Sequence, residues 1–251
     1  MVHFVGAGCG APDLITVRGA KLLSEADVII YAGSLVNPAL LDYAKAGCEI
    51  HDSAKMTLEQ VIEVMKSAEA QGKTTVRLHT GDSSIYGAVR EQFDKLIELG
   101  IAYDVCPGVS SMSGAAAALK AEYTLPEVSQ TVIVTRMEGR TPVPEKEKLH
   151  LLASHGATMV LFLSVGLLDG VQRELMAGGY APETPAAIVY KASWPDEKIF
   201  HCRLCDLKET AEKNNVKKTA LILVGHFLGD EYARSKLYDP TFTTEFREAE
   251  K

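Results

Sequence analysis

Val2-His3-Phe4-Val5-Gly6-Ala7-Gly8-Cys9-Gly10-Ala11-Pro12 opens the chain, and its reading decides the fold. Val2 to Val5 is a short apolar run closed by glycine, which predicts a buried strand. Pro12 to Ala26 carries apolar residues at Leu14, Ile15, Val17, Leu22 and Leu23, which suits a helix. A strand running through a glycine turn into a helix is the first unit of an α/β sheet. The pattern then repeats. Val28 to Tyr31 reads as a strand closed by Gly33, and Thr57 to Gln71 as an amphipathic helix stopped by Gly72. Thr75 to Leu78 is a third strand, Tyr86 to Leu99 a helix ended by Gly100, and Tyr103 to Cys106 a short strand. Ser111 to Leu119 is alanine-rich, as in a closely packed helix. This alternation predicts parallel sheet built from right-handed crossovers.

A second cycle begins near Thr131. Val132 to Val134, Met159 to Leu163, Ala187 to Tyr190, Ile199 to Leu204 and Ala220 to Val224 read as its strands. Glu122 to Ser129, with Pro126, is the best boundary, and Asp239 to Lys251 reads as a loosely held polar tail.

The glycine turn has an obvious reading that fails a test. Gly6, Gly8 and Ala11 fit the G-x-G-x-x-A form of the dinucleotide fingerprint, which sets a pyrophosphate at a helix N-terminus. That fingerprint also needs a carboxylate after the second strand to hold the ribose. Here the strand runs into Ala32-Gly33-Ser34-Leu35, and Asp27 stands before it. A tight strand-to-helix turn is the better reading of the motif taken alone.

Composition narrows the classes. The chain has 251 residues, 47% hydrophobic and 24% charged, which is globular composition. A net charge of −7 argues against nucleic-acid binding, which needs a basic surface. No apolar run is long enough to span a membrane. The start, Met1-Val2-His3-Phe4, has no basic leader, so no signal peptide is expected. Five scattered cysteines then predict reduced thiols in a cytoplasm. Cys202-Arg203-Leu204-Cys205 is a lone C-x-x-C without a second ligand pair, and no metal site is expected.

Two more loops sit at predicted strand ends, where open α/β sheets bind ligands. One is Thr80-Gly81-Asp82-Ser83-Ser84-Ile85-Tyr86-Gly87, the other Pro107-Gly108-Val109-Ser110-Ser111. With the first turn, these loops in this order resemble the signature of the tetrapyrrole methylase family, over nearly the whole chain. Tyr31-Ala32-Gly33-Ser34-Leu35-Val36 and Thr135-Arg136-Met137-Glu138-Gly139-Arg140-Thr141-Pro142-Val143-Pro144 resemble the branch that methylates carbon 11 of precorrin-4. Two departures stand in the first loop, where Cys9 replaces a proline and Ala11 an aspartate.

The resemblance implies two α/β domains, 1–125 and 126–251, with a ligand cleft between them, in the manner of class III methyltransferases. It implies S-adenosylmethionine as methyl donor and S-adenosylhomocysteine as product. Donor contacts carried over by motif are Cys9, Thr80, Gly81, Asp82, Ile85, Ser110 and Ser111, with Leu163, Ala192 and Ala220 from the second half. For Asp82 the residues themselves also allow an Asx-type turn. The substrate would be an anionic tetrapyrrole of cobalamin synthesis, precorrin-4 or its cobalt form. Arg136 and Arg140 are candidates for its carboxylates and Glu138 for a ring nitrogen, since arginine forks match carboxylates. The alternative for these three is a solvated loop with Arg–Glu pairing. No general base is assigned, because a sulfonium donor and an enamine-like carbon need chiefly alignment. A homodimer is implied. The other readings are a sister methyltransferase acting at another ring carbon, a nicotinamide-dependent oxidoreductase, and a non-catalytic tetrapyrrole carrier.

Overall fold

A computed structural model of the chain describes residues 1–33 and 35–249. Ser34 of the Tyr31–Val36 segment, with Glu250 and Lys251 of the tail, lies outside the described residues. The chain forms two compact units. The first comprises 1–114 together with 191–196, and the second 115–190 together with 197–251. The division expected at 125/126 thus falls at 114/115. The segment Lys191–Asp196 is the exception to chain order, because its contacts lie with the first unit.

In the first unit the elements are β1 (Val2–Gly6), α1 (Val17–Glu25), β2 (Val28–Tyr31), β3 (Glu49–Asp52), α2 (Leu58–Ala70), β4 (Thr75–His79), α3 (Arg90–Glu98) and β5 (Tyr103–Cys106). The sheet order is β3-β2-β4-β1-β5, with every pair parallel. A parallel sheet is covered on both faces, so its central strands are almost wholly buried; β2 is a continuous apolar run, whereas the central β4 also buries Thr75, Arg77 and His79. Val5, Ile29, Val76 and Leu78 pack with Leu23 of α1. Val2, Phe4, Val28 and Ile30 pack with Met65 of α2 and Leu96 of α3. Each such side chain contributes roughly 1.5–3 kcal/mol by leaving water. α2 begins at a reciprocal capping box between Thr57 and Gln60.

Two helices start later than their patterns predict, and one strand lies outside the predicted set. The helix expected over Pro12–Ala26 is a 3₁₀ turn at Pro12–Leu14 followed by α1, because Thr16 caps the Gly19 amide and stays extended. The helix expected from Tyr86 starts at Arg90, since Tyr86 and Ala88 hold left-handed φ values of 54° and 48°. β3 was not anticipated, because Glu49-Ile50-His51-Asp52 has a single apolar residue.

α4 (Ser111–Leu119) follows β5. The second unit carries β6 (Val132–Arg136), α5 (Leu149–Ala153), β7 (Thr158–Phe162), α6 (Leu168–Ala177), β8 (Pro185–Tyr190), β9 (Lys198–Arg203), α7 (Leu207–Lys213) and β10 (Ala220–Val224). Its sheet order is β6-β7-β10-β8-β9. Only β6 and β7 pair in parallel; the other pairs are antiparallel, so the crossover pattern does not extend through this unit. Met159, Leu161, Ile188 and Ile222 form its core with Val171 and Leu175 of α6 and Leu207 of α7. No described helix is long and apolar enough to cross a membrane. The tail is folded locally, with Arg247 donating to the carbonyls of Leu237, Asp239 and Phe242.

Candidate functional site

The C-terminal ends of β4, β1 and β5 lie side by side, so the loops that follow them meet. Gly8 and Gly81 exchange backbone hydrogen bonds, Gly81 N–H to Gly8 O at 2.9 Å and Gly8 N–H to Gly81 O at 3.2 Å. Ala7 N–H donates to the His79 carbonyl at 2.6 Å. Glycine is required where the loops cross. A Cβ on Gly6 would lie 2.5 Å from the Gly108 Cα, and one on Gly108 would lie 2.2 Å from the Gly81 carbonyl oxygen.

Asp82 ties the second loop to the third. Its Oδ2 accepts the Gly108 N–H, and its Oδ1 accepts the Ser84 N–H and the Ser84 hydroxyl. The Ser84 amide bond is an Asx turn. Burial works against the Asp82 charge, but the Ser84 hydroxyl and the amides of Gly108 and Ser84 outweigh it and hold the carboxyl below its usual range. Both oxygens therefore serve the loop itself.

The first loop is held from elsewhere. Cys9 is buried, and its Sγ lies 3.2 Å from the Ser193 Oγ. Ala11 N–H donates to the same Oγ at 3.0 Å, and the Asn37 amide donates to the Gly10 carbonyl at 2.9 Å. A Cβ on Gly10 would meet the Trp194 ring at 2.2 Å, so that ring lies directly on the glycine. Ala192 is buried, with its Cβ close to Gly114. Ser110 opens α4, its carbonyl accepting from the Ser113 and Gly114 amides. Cys9, Thr80, Gly81, Asp82, Ile85, Ser110, Ser111 and Ala192 thus all belong to the first unit. Asn37, Ser193 and Trp194 were not anticipated; no local pattern marks them, since their partners are distant in sequence.

Beneath the second loop, β4 buries two cationic residue types. The Arg77 Nε donates to Gln92 Oε1 at 3.1 Å and its Nη1 to the Ile30 carbonyl at 3.1 Å. The Gln92 amide donates to the Ala88 carbonyl, inside the left-handed stretch. Burial lowers Arg77 to about 10. His79 stacks on Phe4 with ring centroids 6.0 Å apart, and its Nε2 has no partner among the described residues. Burial, and secondarily the Arg77 charge, push it down to about 3, so it is neutral at pH 7.

Asp52, from β3, supplies the carboxylate missing from the loop after β2. Its Oδ1 accepts the Gly33 N–H at 3.2 Å and the Ala54 N–H at 2.9 Å, so it shapes that turn.

Leu163 and Ala220 belong to the second unit. Ile222 pairs with Leu161 in antiparallel register, so Ala220 and Leu163 lie at the same end of adjacent strands. Leu163 is exposed at a left-handed φ of 53°. Arg136 ends β6, and its guanidinium donates to the carbonyls of Met137, Thr141 and Pro142, the last at 2.7 Å. The buried Ser164 Oγ accepts the Met137 N–H at 2.8 Å. Glu138 and Arg140 are exposed. Arg136 thus organises the loop on which Arg140 is displayed. Nearby, Met137, Leu167, Leu168, Arg173 and Lys208 help line a cavity of about 530 Å³.

An all-parallel α/β unit with three interlocked loops at its strand ends, and a mixed α/β unit after it, is the arrangement this chain shares with solved tetrapyrrole methyltransferases. The family model for tetrapyrrole (corrin/porphyrin) methylases matches residues 1–208, and the chain belongs to that family. It is 58% identical over 251 residues to the cobalt-precorrin-4 C(11)-methyltransferase of Methanocaldococcus jannaschii, covering 100% of this chain and 97% of the relative. It is 45% identical to the precorrin-4 C(11)-methyltransferase of Pseudomonas aeruginosa, covering 94% of each. Among solved structures, a cobalt-precorrin-4 methyltransferase matches with a TM-score of 0.90 at 47% identity, over 91% of this chain and 96% of that one. The uroporphyrin-III C-methyltransferase of Thermus thermophilus, complexed with S-adenosylhomocysteine, matches with a TM-score of 0.75 at 27% identity, over 90% of this chain and 92% of that one.

Proposed function

We propose that the protein transfers a methyl group from S-adenosylmethionine to carbon 11 of precorrin-4 or cobalt-precorrin-4. The observation that carries this reading is the backbone fusion of the Gly6–Ala11, Thr80–Gly87 and Pro107–Ser111 loops, in a chain similar over its full length to enzymes of that name. The loops offer a donor backbone amides, small side chains and hydroxyls. Cys9, Thr80, Gly81, Ile85, Ser110, Ser111 and Ala192 are the proposed donor contacts, with Asp82 fixing the loop geometry. For Leu163 and Ala220 the same role rests on the resemblance alone.

The reaction asks little of acid–base groups. The nucleophilic ring carbon takes the methyl as the carbon–sulfur bond breaks, and the electron pair leaves on sulfur as S-adenosylhomocysteine. The positive charge passes to the conjugated ring system. Alignment of carbon, methyl and sulfur contributes on the order of 7–11 kcal/mol in such steps. Arg140 is the proposed partner for a substrate carboxylate, with Arg136 holding its loop and Glu138 near a ring nitrogen.

We propose a cytoplasmic homodimer as the working form. The five free thiols support the compartment, and light scattering tests the stoichiometry. Calorimetric titration with S-adenosylhomocysteine and with NAD tests the donor: binding of NAD alone overturns the reading. Mass spectrometry of products from cobalt and cobalt-free substrates then identifies the ring accepted.

A further inference from the structure

The Gly8–Ala11 turn cannot set its own shape. Gly8 and Gly10 hold φ values of 80° and 158°, conformations open mainly to glycine, and two glycines in four residues leave the free turn with many alternatives. Ala11 has no side-chain hydrogen bond to offer. What the turn lacks is supplied by Lys191–Asp196. The Ser193 Oγ accepts the Ala11 N–H at 3.0 Å and lies 3.2 Å from the Cys9 Sγ, so one hydroxyl spans both residues flanking Gly10. Trp194 covers Gly10 itself.

The strap is built to hold that hydroxyl in place. Lys191 and Ser193 both adopt left-handed backbone, at φ values of 48° and 65°, which non-glycine residues rarely do. The conformation is stapled by an ion pair of 2.6 Å between Lys191 and Asp196. The Trp194 N–H donates to the Lys191 carbonyl at 3.0 Å, and the Lys191 ammonium sits 5.4 Å from the Trp194 ring centroid. Costly backbone maintained by surrounding contacts is characteristic of functional segments.

We propose that Ser193 is a positioning residue: through Ala11 and Cys9 it holds the first loop in the shape that receives the methyl donor. This rests on the reading of that loop as part of the donor site. Ser193 acts on donor affinity and leaves the methyl-transfer step at saturating donor largely untouched.

Two variants test it. Ser193→Ala removes the hydroxyl. Ser193→Gly removes it and also relieves the left-handed backbone, so its melting temperature stays at or above that of Ser193→Ala. Exchange of the Ala11 amide, followed in the ligand-free protein, accelerates about tenfold or more in both variants. The Kd for S-adenosylhomocysteine rises about 5–30-fold in both, the loss expected for one or two hydrogen bonds. The maximal methyl-transfer rate at saturating donor changes less than about threefold. Trp194 is the chain's only tryptophan, so its fluorescence registers the loop directly, and its shift on ligand addition moves to higher ligand concentration in parallel. Unchanged Ala11 exchange overturns the lock, and unchanged S-adenosylhomocysteine affinity overturns its role in donor binding. Wild-type protein that binds no S-adenosylhomocysteine overturns the donor reading and the affinity claim together, while accelerated Ala11 exchange in the variants still supports the lock.

Discussion

The Asp82 Oδ2 accepts the Gly108 amide at 2.7 Å, which makes one carboxylate the link between the loops after β4 and β5. Its other oxygen is engaged by Ser84. A hydrogen bond to a charged acceptor contributes about 1.5–3 kcal/mol net, and less where water can replace it, as at the exposed Ser84. Asp82→Ala should therefore cost about 2 kcal/mol in urea unfolding and weaken S-adenosylhomocysteine binding about tenfold. The carboxyl is depressed in the folded state, so its contribution is present above the unfolded pKa and lost as pH falls through the folded one. A variant with wild-type stability and wild-type donor affinity would remove Asp82 from this role.

Gly108→Ala should fail more severely. The new Cβ would lie 2.2 Å from the Gly81 oxygen and 2.7 Å from the Gly6 Cα, so backbone would have to separate on two sides. A loss above about 3 kcal/mol, or no soluble folded protein, is expected. Gly72→Ala is the control. It has a φ of 67° and open space around it, so only backbone strain of about 1 kcal/mol applies. Equal melting temperatures for the two variants would show that the loops are not tightly apposed.

His79 gives the fold a measurable acid sensitivity. It stays neutral down to about 3, whereas in the unfolded chain it takes up a proton near 6.5. Between those values the unfolded state binds one more proton, so stability falls as pH falls, by about 1.4 kcal/mol per pH unit. From pH 6.5, where the unfolded imidazole is half protonated, to pH 5 that amounts to about 1.6 kcal/mol. His79→Phe should flatten this part of the stability–pH curve, which urea unfolding at three pH values reads directly. The same slope in the variant would place the titration elsewhere.

Arg140 and Arg136 should separate in their effects. Arg140→Ala removes an exposed guanidinium and should weaken tetrapyrrole binding about tenfold while leaving S-adenosylhomocysteine affinity alone. Arg136→Ala removes three bonds to loop carbonyls and should additionally raise amide exchange over residues 137–142. Unchanged tetrapyrrole affinity in Arg140→Ala would count against the substrate assignment.

The parts legible in the sequence are those whose cause is local. β1 and β2 are largely apolar runs closed by glycine, β4 sets Val76 and Leu78 between polar residues ahead of Gly81, and the ends of all three fall within a residue of the expectation. β3 lacks that signature because it is an edge strand with one apolar residue, Ile50, which is itself exposed. The left-handed Tyr86 and Ala88 carry no residue-type signal, so the start of α3 was read too early. Strand direction in the second sheet was illegible because a run buried on both faces looks alike in either direction. In the site, the glycine loops were legible as spacing. The Ser193–Ala11 bond was not, because it joins residues 182 positions apart.

That separation has a bearing on how the chain is made. Synthesis proceeds from the N-terminus, and the first sheet is complete at Cys106, yet the piece that seals its first loop is Lys191–Asp196. The N-terminal unit therefore leaves the ribosome unfinished, with Gly10 uncovered, and is closed only after β8 has been translated. A fragment ending at Gly114 would carry every strand of that sheet and still lack the segment that covers Gly10, so a cut at the boundary its strands mark separates the first loop from its seal.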